Sequence, residues 1–258
     1  MTQKNKLISK TDNQIWIYGR HPVLAALLNP RRKIYQILVT PHNEADLKKF
    51  ITDKKIKIDK SLIKIVDGES LSSLFPIGST HQGFALKTSL ITIFSFNHFL
   101  DKIQNLDSKN LPPLLVLDNL TDPQNIGAVI RSAVAFGFKN IVVNERNFPI
   151  HSPVIAKAAS GMLELVELIA GGNFNHLLSE LKKLGYWSVG LDGTAKADVK
   201  EVKNFQPIAL VLGSEGEGIR RLVKENCDLL VKIPISNETE SLNASNAAAI
   251  AMYKIYAG

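Results

Sequence analysis

The sequence predicts an α/β protein with a small N-terminal α/β unit and a larger C-terminal unit built on a mostly parallel sheet. Three observations carry this prediction. After residue 114, apolar runs of strand length alternate with stretches of helical spacing, the pattern expected when crossover helices cover both faces of a parallel sheet. The segment Ser95 to Pro113 turns rich in Asn, Asp and Lys and ends Leu111-Pro112-Pro113, which reads as a linker. Charge divides at the same place: residues 1–113 hold 17 Lys plus Arg against 9 Asp plus Glu, and residues 114–258 hold 14 against 15.

Taken in order, residues 1–15 are polar and expected to be a flexible N-terminus. Residues 16–94 form the first unit. Within it, Gly19 to Ala25 reads as a loop entering a helix, and apolar strands fall near Ile34 to Val39, Leu62 to Val66 and Phe84 to Leu86, with helices between them. The linker spans 95–113. The second unit, 114–258, opens with a core strand at Leu114 to Leu117, a turn at Asp122-Pro123, and a helix on which Ile126, Val129, Ile130, Ala133 and Val134 recur at helical spacing. Strands at Ile141 to Val143, Val166 to Ile169, Trp187 to Leu191, Ile208 to Leu212 and Leu229 to Ile233 follow. Helices are expected near Val154 to Ser160, from Phe174 to Leu184, beginning near Ile219, and over the alanine-rich C-terminus.

Composition excludes several classes. With 258 residues, 45% hydrophobic and 21% charged, the chain is an ordinary globular one. It has no signal-peptide pattern and no apolar run near the ~18 residues that span a bilayer, so a cytoplasmic protein with no membrane partner is expected. Cys227 is the lone cysteine and reads as a core residue. The histidines at 21, 42, 81, 98, 151 and 176 lack metal-ligand spacing, so no metal is expected. There is no G-x-x-x-x-G-K-[ST] loop and no G-x-S-x-G elbow, and Gly213 to Gly218 reads G-x-x-G-x-G, not the dinucleotide order. ATPase, zinc-hydrolase and nicotinamide-dehydrogenase readings fall away. Clusters at Arg31-Arg32-Lys33, Lys48-Lys49 and Lys54-Lys55-Lys57, with Lys60 and Lys64 behind, suit a polyanion such as nucleic acid.

Candidate chemistry lies where strands run into helices. Asn125 sits near the start of the first helix of the second unit, and Gly127 and Arg131, four apart, share a face on which the glycine is expected to leave room for a ligand beside the guanidinium. Three glycines between Gly213 and Gly218 imply close backbone approach. Ser241, Asn243 and Ser245 open the last helix and suit capping. Three such junctions in one unit point to one shared site at the strand ends.

These segments resemble the motifs of the SpoU/TrmH family of RNA ribose 2′-O-methyltransferases in the SPOUT superfamily. Asn125-Ile-Gly127-Ala-Val-Ile-Arg131 is similar to the first motif, Leu212-Gly213-Ser-Glu215-Gly216-Glu-Gly218 to the second, and Ile233-Pro234 through Ser241-Leu242-Asn243 to the third. Ser152-Pro153 and Ala159-Ser160-Gly161 also match, and the likeness runs from about Trp16 onward. With the front module opening Tyr18-Gly19-Arg20-His21-Pro22-Val23, it is nearest the RlmB-like branch, which modifies a guanosine in 23S ribosomal RNA.

The resemblance implies a deep trefoil knot in the second unit, a homodimer, and S-adenosylmethionine (S-adenosyl-L-methionine) as donor. It implies that Leu212, Gly213, Gly216, Ile233 and Leu242 hold that cofactor. It assigns Arg131 to activating the 2′-hydroxyl, Asn125 and Glu215 to ordering the site, and Ser241 and Asn243 to hydrogen bonds with ribose or cofactor. An arginine is a weak general base at neutral pH, so positioning the hydroxyl and stabilising its anion is its easier role. Met162 and Asn246 depart from the family's pattern beside the motifs, where altered packing or a local polar contact is expected, and not loss of methyl transfer. Other readings are a transfer RNA target, a catalytically silent ribosome-assembly factor, and a small-molecule enzyme with an unrelated nucleotide cofactor.

Overall fold

A computed structural model describes residues 13–257. Of the N-terminus expected to be flexible, residues 1–12 lie outside the described residues, and the first strand already begins at Gln14. The chain divides into two units between Ile91 and Thr92.

The first unit runs β1 (Gln14–Tyr18), α1 (Arg20–Leu28), β2 (Ile34–Val39), α2 (Glu44–Asp53), β3 (Ile63–Ile65), α3 (Gly68–Ser72) and β4 (Phe84–Ser89). Its sheet has the order β1-β4-β2-β3, antiparallel except where β2 meets the edge strand β3. Ile37, Val39, Phe84, Ala85 and Leu86 are fully buried in it.

The surface charge of this unit is narrower than the sequence suggested. Arg32 is buried, and its Nη1 donates to the Ser89 carbonyl at 2.6 Å, so it serves the fold and leaves the Arg31-Arg32-Lys33 cluster broken. Arg20 pairs with Asp46 at 2.7 Å. Lys54, Lys57 and Lys60 in the connection between α2 and β3, and Lys64 in the edge strand β3, are by contrast all exposed.

The second unit runs β5 (Ile93–Ser95), α4 (Phe96–Ile103), β6 (Leu114–Leu117), α5 (Pro123–Ala135), β7 (Asn140–Val143), α6 (Pro153–Ala158), β8 (Glu167–Ala170), α7 (Phe174–Lys183), β9 (Trp187–Leu191), β10 (Ala197–Asp198), β11 (Ile208–Leu212), α8 (Arg221–Glu225), β12 (Leu229–Lys232) and α9 (Ala244–Ala257). Eight strands form one sheet in the order β10-β12-β9-β11-β6-β7-β8-β5, and every pairing in it is parallel. Every residue of β6 and β11, at its centre, is buried, as strands covered on both faces require. Parallel strands put all their C-terminal ends on one rim, and the order places those of β12, β9 and β11 side by side.

Residues 95–113, expected as a linker, instead belong to this unit. Phe96, Phe99, Leu100 and Ile103 repeat at helical spacing on α4; Phe99 and Ile103 are core residues and the other two pack against them. The polar residues between them lowered the average and hid an amphipathic helix. Cys227 is half-buried, its thiol 3.4 Å from the Val223 carbonyl and pushed up to about 12 by burial, which keeps it neutral. Among the described residues no helix is long and apolar enough to cross a membrane.

Candidate active site

A cleft of about 820 Å³ opens at the C-terminal ends of β9, β11 and β12. Its wall contains Leu212, Gly213, Glu215, Gly216, Ile233, Ser241, Leu242 and Asn243, so eight of the ten residues singled out from the sequence meet on one surface. Asn125 joins them through a hydrogen bond, and Arg131 stands apart.

The loop after β11 is a turn closed on itself. Ser214 N–H donates to the Gly218 carbonyl and Gly218 N–H to the Ser214 carbonyl, both at 3.1 Å. A Cβ on Gly213 would fall 2.0 Å from the Gly218 carbonyl carbon, so the loop's own backbone requires the absence of a side chain here. Gly216 has φ +84° with open space where a side chain would be, and it faces the cleft with Glu215 at the tip of the turn.

Asn243 ties the three segments together. Its Nδ2 donates to Asn125 Oδ1 at 3.0 Å and to Glu215 Oε1 at 2.7 Å. Its Oδ1 accepts from Ser245 N–H at 2.9 Å and Ser245 Oγ at 2.6 Å, capping α9. Capping and bridging use opposite ends of one amide. Asn125 is itself fixed at the head of α5, where the Asp122 carboxylate accepts its N–H at 2.9 Å and Pro123 opens the helix; it is 8% exposed.

Gly127 differs from its expected role. A Cβ there would meet Ala158 Cβ at 2.5 Å and the Ile155 carbonyl at 2.7 Å, so the place of the missing side chain is filled by α6 and not by a ligand. Arg131 is exposed, six residues and about 9 Å of helix rise beyond Asn125. Among the described residues its guanidinium has no hydrogen-bond or ion-pair partner. Of the two departures, Met162 is half-buried after the turn at Gly161, and Asn246 is exposed on the first turn of α9.

One contributor was missed. The loop after β9, Leu191 to Thr194, also lines the cleft. Asp192 there accepts from Thr194 N–H at 2.8 Å and pairs with Lys224 at 2.6 Å. The raising effect of burial on Asp192 is outweighed by these hydrogen bonds, which hold its carboxyl below the usual value. An Asp-Gly pair after an apolar strand was the available signal. Among the described residues no group of His, Cys, Asp and Glu is placed to hold a metal ion.

Comparison with known proteins identifies the family. Residues 112–253 match the SpoU rRNA Methylase family, and residues 16–92 match the family described as RNA 2′-O ribose methyltransferase substrate binding. A putative TrmH family tRNA/rRNA methyltransferase of Staphylococcus haemolyticus is 34% identical, over 94% of this chain and 95% of its own. An uncharacterized tRNA/rRNA methyltransferase of Synechocystis is 33% identical over 93% of this chain, which spans 62% of that longer relative. Among solved structures, the SpoU methyltransferase AviRb from Streptomyces viridochromogenes, in complex with AdoMet, superposes with a TM-score of 0.73 at 21% identity, covering 95% of this chain and 90% of that one. An AdoMet-bound rRNA methyltransferase from Sinorhizobium meliloti gives 0.73 at 18%, covering 94% and 87%. The A. aeolicus TrmH/SpoU tRNA modifying enzyme gives 0.51 at 23%, covering 62% and 82%.

Proposed function

Because the chain belongs to the SpoU rRNA Methylase family, we propose that it methylates the ribose 2′-hydroxyl of a guanosine in 23S ribosomal RNA, with S-adenosylmethionine as donor. The observation that carries this reading is the Asn125–Asn243–Glu215 network, which gathers all three motif segments at one cleft.

The cleft suits the donor. Its volume lies within the ~300–1,000 Å³ of small-molecule sites. Leu212, Ile233, Leu242 and Ala247 offer apolar wall, and Glu215 and Glu240 offer carboxylates to a ligand carrying sulfonium and ammonium charge. Leu212, Gly213, Gly216, Ile233 and Leu242 hold it, and Ser241 and Asn243 supply polar contacts. When bound there, S-adenosylmethionine supplies an electrophilic methyl group. The protein's own work is placement, which alone is worth several kcal/mol. Asn125 and Glu215, immobilised by Asn243, order the site. The unpaired guanidinium of Arg131 binds an RNA phosphate and holds the 2′-hydroxyl in line while stabilising its developing anion.

The first unit binds the RNA. Support comes from the family matched over residues 16–92 and from the exposed lysines between α2 and the end of β3. Ribosomal RNA is favoured over transfer RNA because the solved rRNA methyltransferase matches along both units, whereas the tRNA modifying enzyme matches over 62% of the chain. The reading includes a deep trefoil knot in the second unit, a cytoplasmic location, and a homodimer, for which Ile250, Tyr253 and Tyr256, exposed along α9, provide apolar surface.

The test is mass-spectrometric mapping of ribose methylation in RNA from cells lacking the gene, complemented with wild type or Arg131→Ala. One 2′-O-methylguanosine in 23S ribosomal RNA should vanish and return with wild type alone. Loss of a transfer RNA site would retain the reaction and replace the substrate. No change at any site would favour an assembly factor without catalysis.

A further inference from the structure

The turn that presents Glu215 and Gly216 to the cleft is held at both ends by one residue outside it. Asp118 follows the last residue of β6. Its N–H donates to the Leu212 carbonyl at 2.7 Å, where the turn begins. Its Oδ2 accepts the Arg220 N–H at 2.8 Å, where the turn ends. Its Oδ1 accepts Arg220 Nε at 2.7 Å and Nη2 at 2.6 Å. The Asp118 side chain has no exposed surface, while that of Arg220 is 47% exposed and lies over the Phe174 ring at 5.6 Å.

Stability alone does not account for this arrangement. A carboxylate taken out of water carries a large desolvation penalty, and apolar packing of equal volume commonly stabilises a fold as well or better. A carboxylate fork does fix the separation and orientation of the groups it binds. Between the two pinned ends the turn cannot flex freely, because Ser214 and Gly218 are hydrogen-bonded to each other and Gly213 lies against the Gly218 backbone. A stiff turn pinned at residues 212 and 220 has its tip placed by the pins. The segment after Asp118 leads to Asn125, so the same residue relates the head of α5 to the tip of the turn.

We propose that Asp118, acting with Arg220, is a positioning residue that sets where Glu215 and Gly216 stand in the cleft and thereby controls donor affinity. This rests on the donor assigned above. Arg220→Gln tests it, since this side chain is half-exposed and its loss leaves the backbone bond to Asp118 in place; Asp118→Asn is the second variant. Three quantities are measured on the full-length protein: the dissociation constant for S-adenosylmethionine, the dissociation constant for a 23S ribosomal RNA fragment, and amide hydrogen exchange across residues 213–219. Both variants should exchange faster in that turn, with β11 and β12 still protected. They should bind donor on the order of tenfold more weakly, the scale of one lost charge-assisted hydrogen bond, and bind RNA within about twofold of wild type. Unchanged exchange in the turn, or equal losses for donor and RNA, would overturn the proposal. If wild type binds no donor while Arg220→Gln still loosens the turn, the assigned cofactor falls and the positioning role stands.

Discussion

Asn243 donates to Glu215 at 2.7 Å across 28 residues of chain, and the same side chain caps the helix that follows it. The two roles separate by substitution. Asn243→Ser keeps a good cap and removes the NH₂ group that bridges Asn125 and Glu215. It should melt close to wild type yet bind donor poorly and methylate little. Asn243→Ala loses the cap as well, at about 1 kcal/mol. Thermal melts alongside donor titration check both; a serine variant with full activity would remove the bridge from the site's chemistry.

Gly127 sits in the first motif but serves packing, with the Ile155 carbonyl and Ala158 Cβ where its own side chain would be. Gly127→Ala should therefore destabilise by about 1–3 kcal/mol, the usual result of forcing a methyl into a filled interior. Neither obstacle is the far end of a flexible side chain, so relaxation requires α5 and α6 to separate. Urea unfolding gives the loss directly. A wild-type midpoint combined with lost donor binding would mean the glycine faces a ligand after all.

What was legible in the sequence follows from how local each signal is. The strands β6 and β11 are short, wholly apolar and wholly buried, so their pattern declares them. The helix α4 was obscured because Asn97, His98, Asp101 and Lys102 fill its outer face and blend with the polar stretch beyond. The cap at Asn243 is a local feature and readable; its bridge to Asn125 and Glu215 depends on three loops meeting and is not. The loop after β9 reaches the cleft because β9 pairs with both β11 and β12, a crossover order that no local pattern encodes. Arg32, within a run of three cations, gave no sign that it would turn inward to Ser89.

The exposed lysines from the end of α2 to β3 make a quantitative prediction for RNA binding. Each phosphate contact released changes the slope of log K against log salt by about 0.7 for single strands and 0.9 for duplex. Replacing Lys54, Lys57, Lys60 and Lys64 together with Gln should flatten that slope by a corresponding amount and leave donor affinity untouched. Fluorescence anisotropy with a 23S ribosomal RNA fragment over a potassium chloride series reads it. An unchanged slope would move the RNA surface away from this edge.

Two half-buried carboxylates set an acid limit on stability. In Asp228, burial raises the pKa, but hydrogen bonds from Lys182 and Ser188 outweigh it and leave the group below its usual value; the Ser188 N–H lies 2.9 Å away and its Oγ 2.6 Å. Asp192 behaves alike with Lys224 and Thr194. A folded-state pKa below the unfolded value of ~3.9 means that the unfolded chain binds more protons in acid. The stability these groups contribute is therefore complete above about pH 4 and drains away as pH falls through the depressed folded values. Asp228→Asn lacks that contribution at every pH, so the gap between its stability and that of wild type should be widest near neutrality and narrow toward pH 3. Urea midpoints measured from pH 7 to pH 3 decide the matter. A gap that stays constant into acid would show that lost packing and hydrogen bonding, not ionisation of Asp228, accounts for the difference.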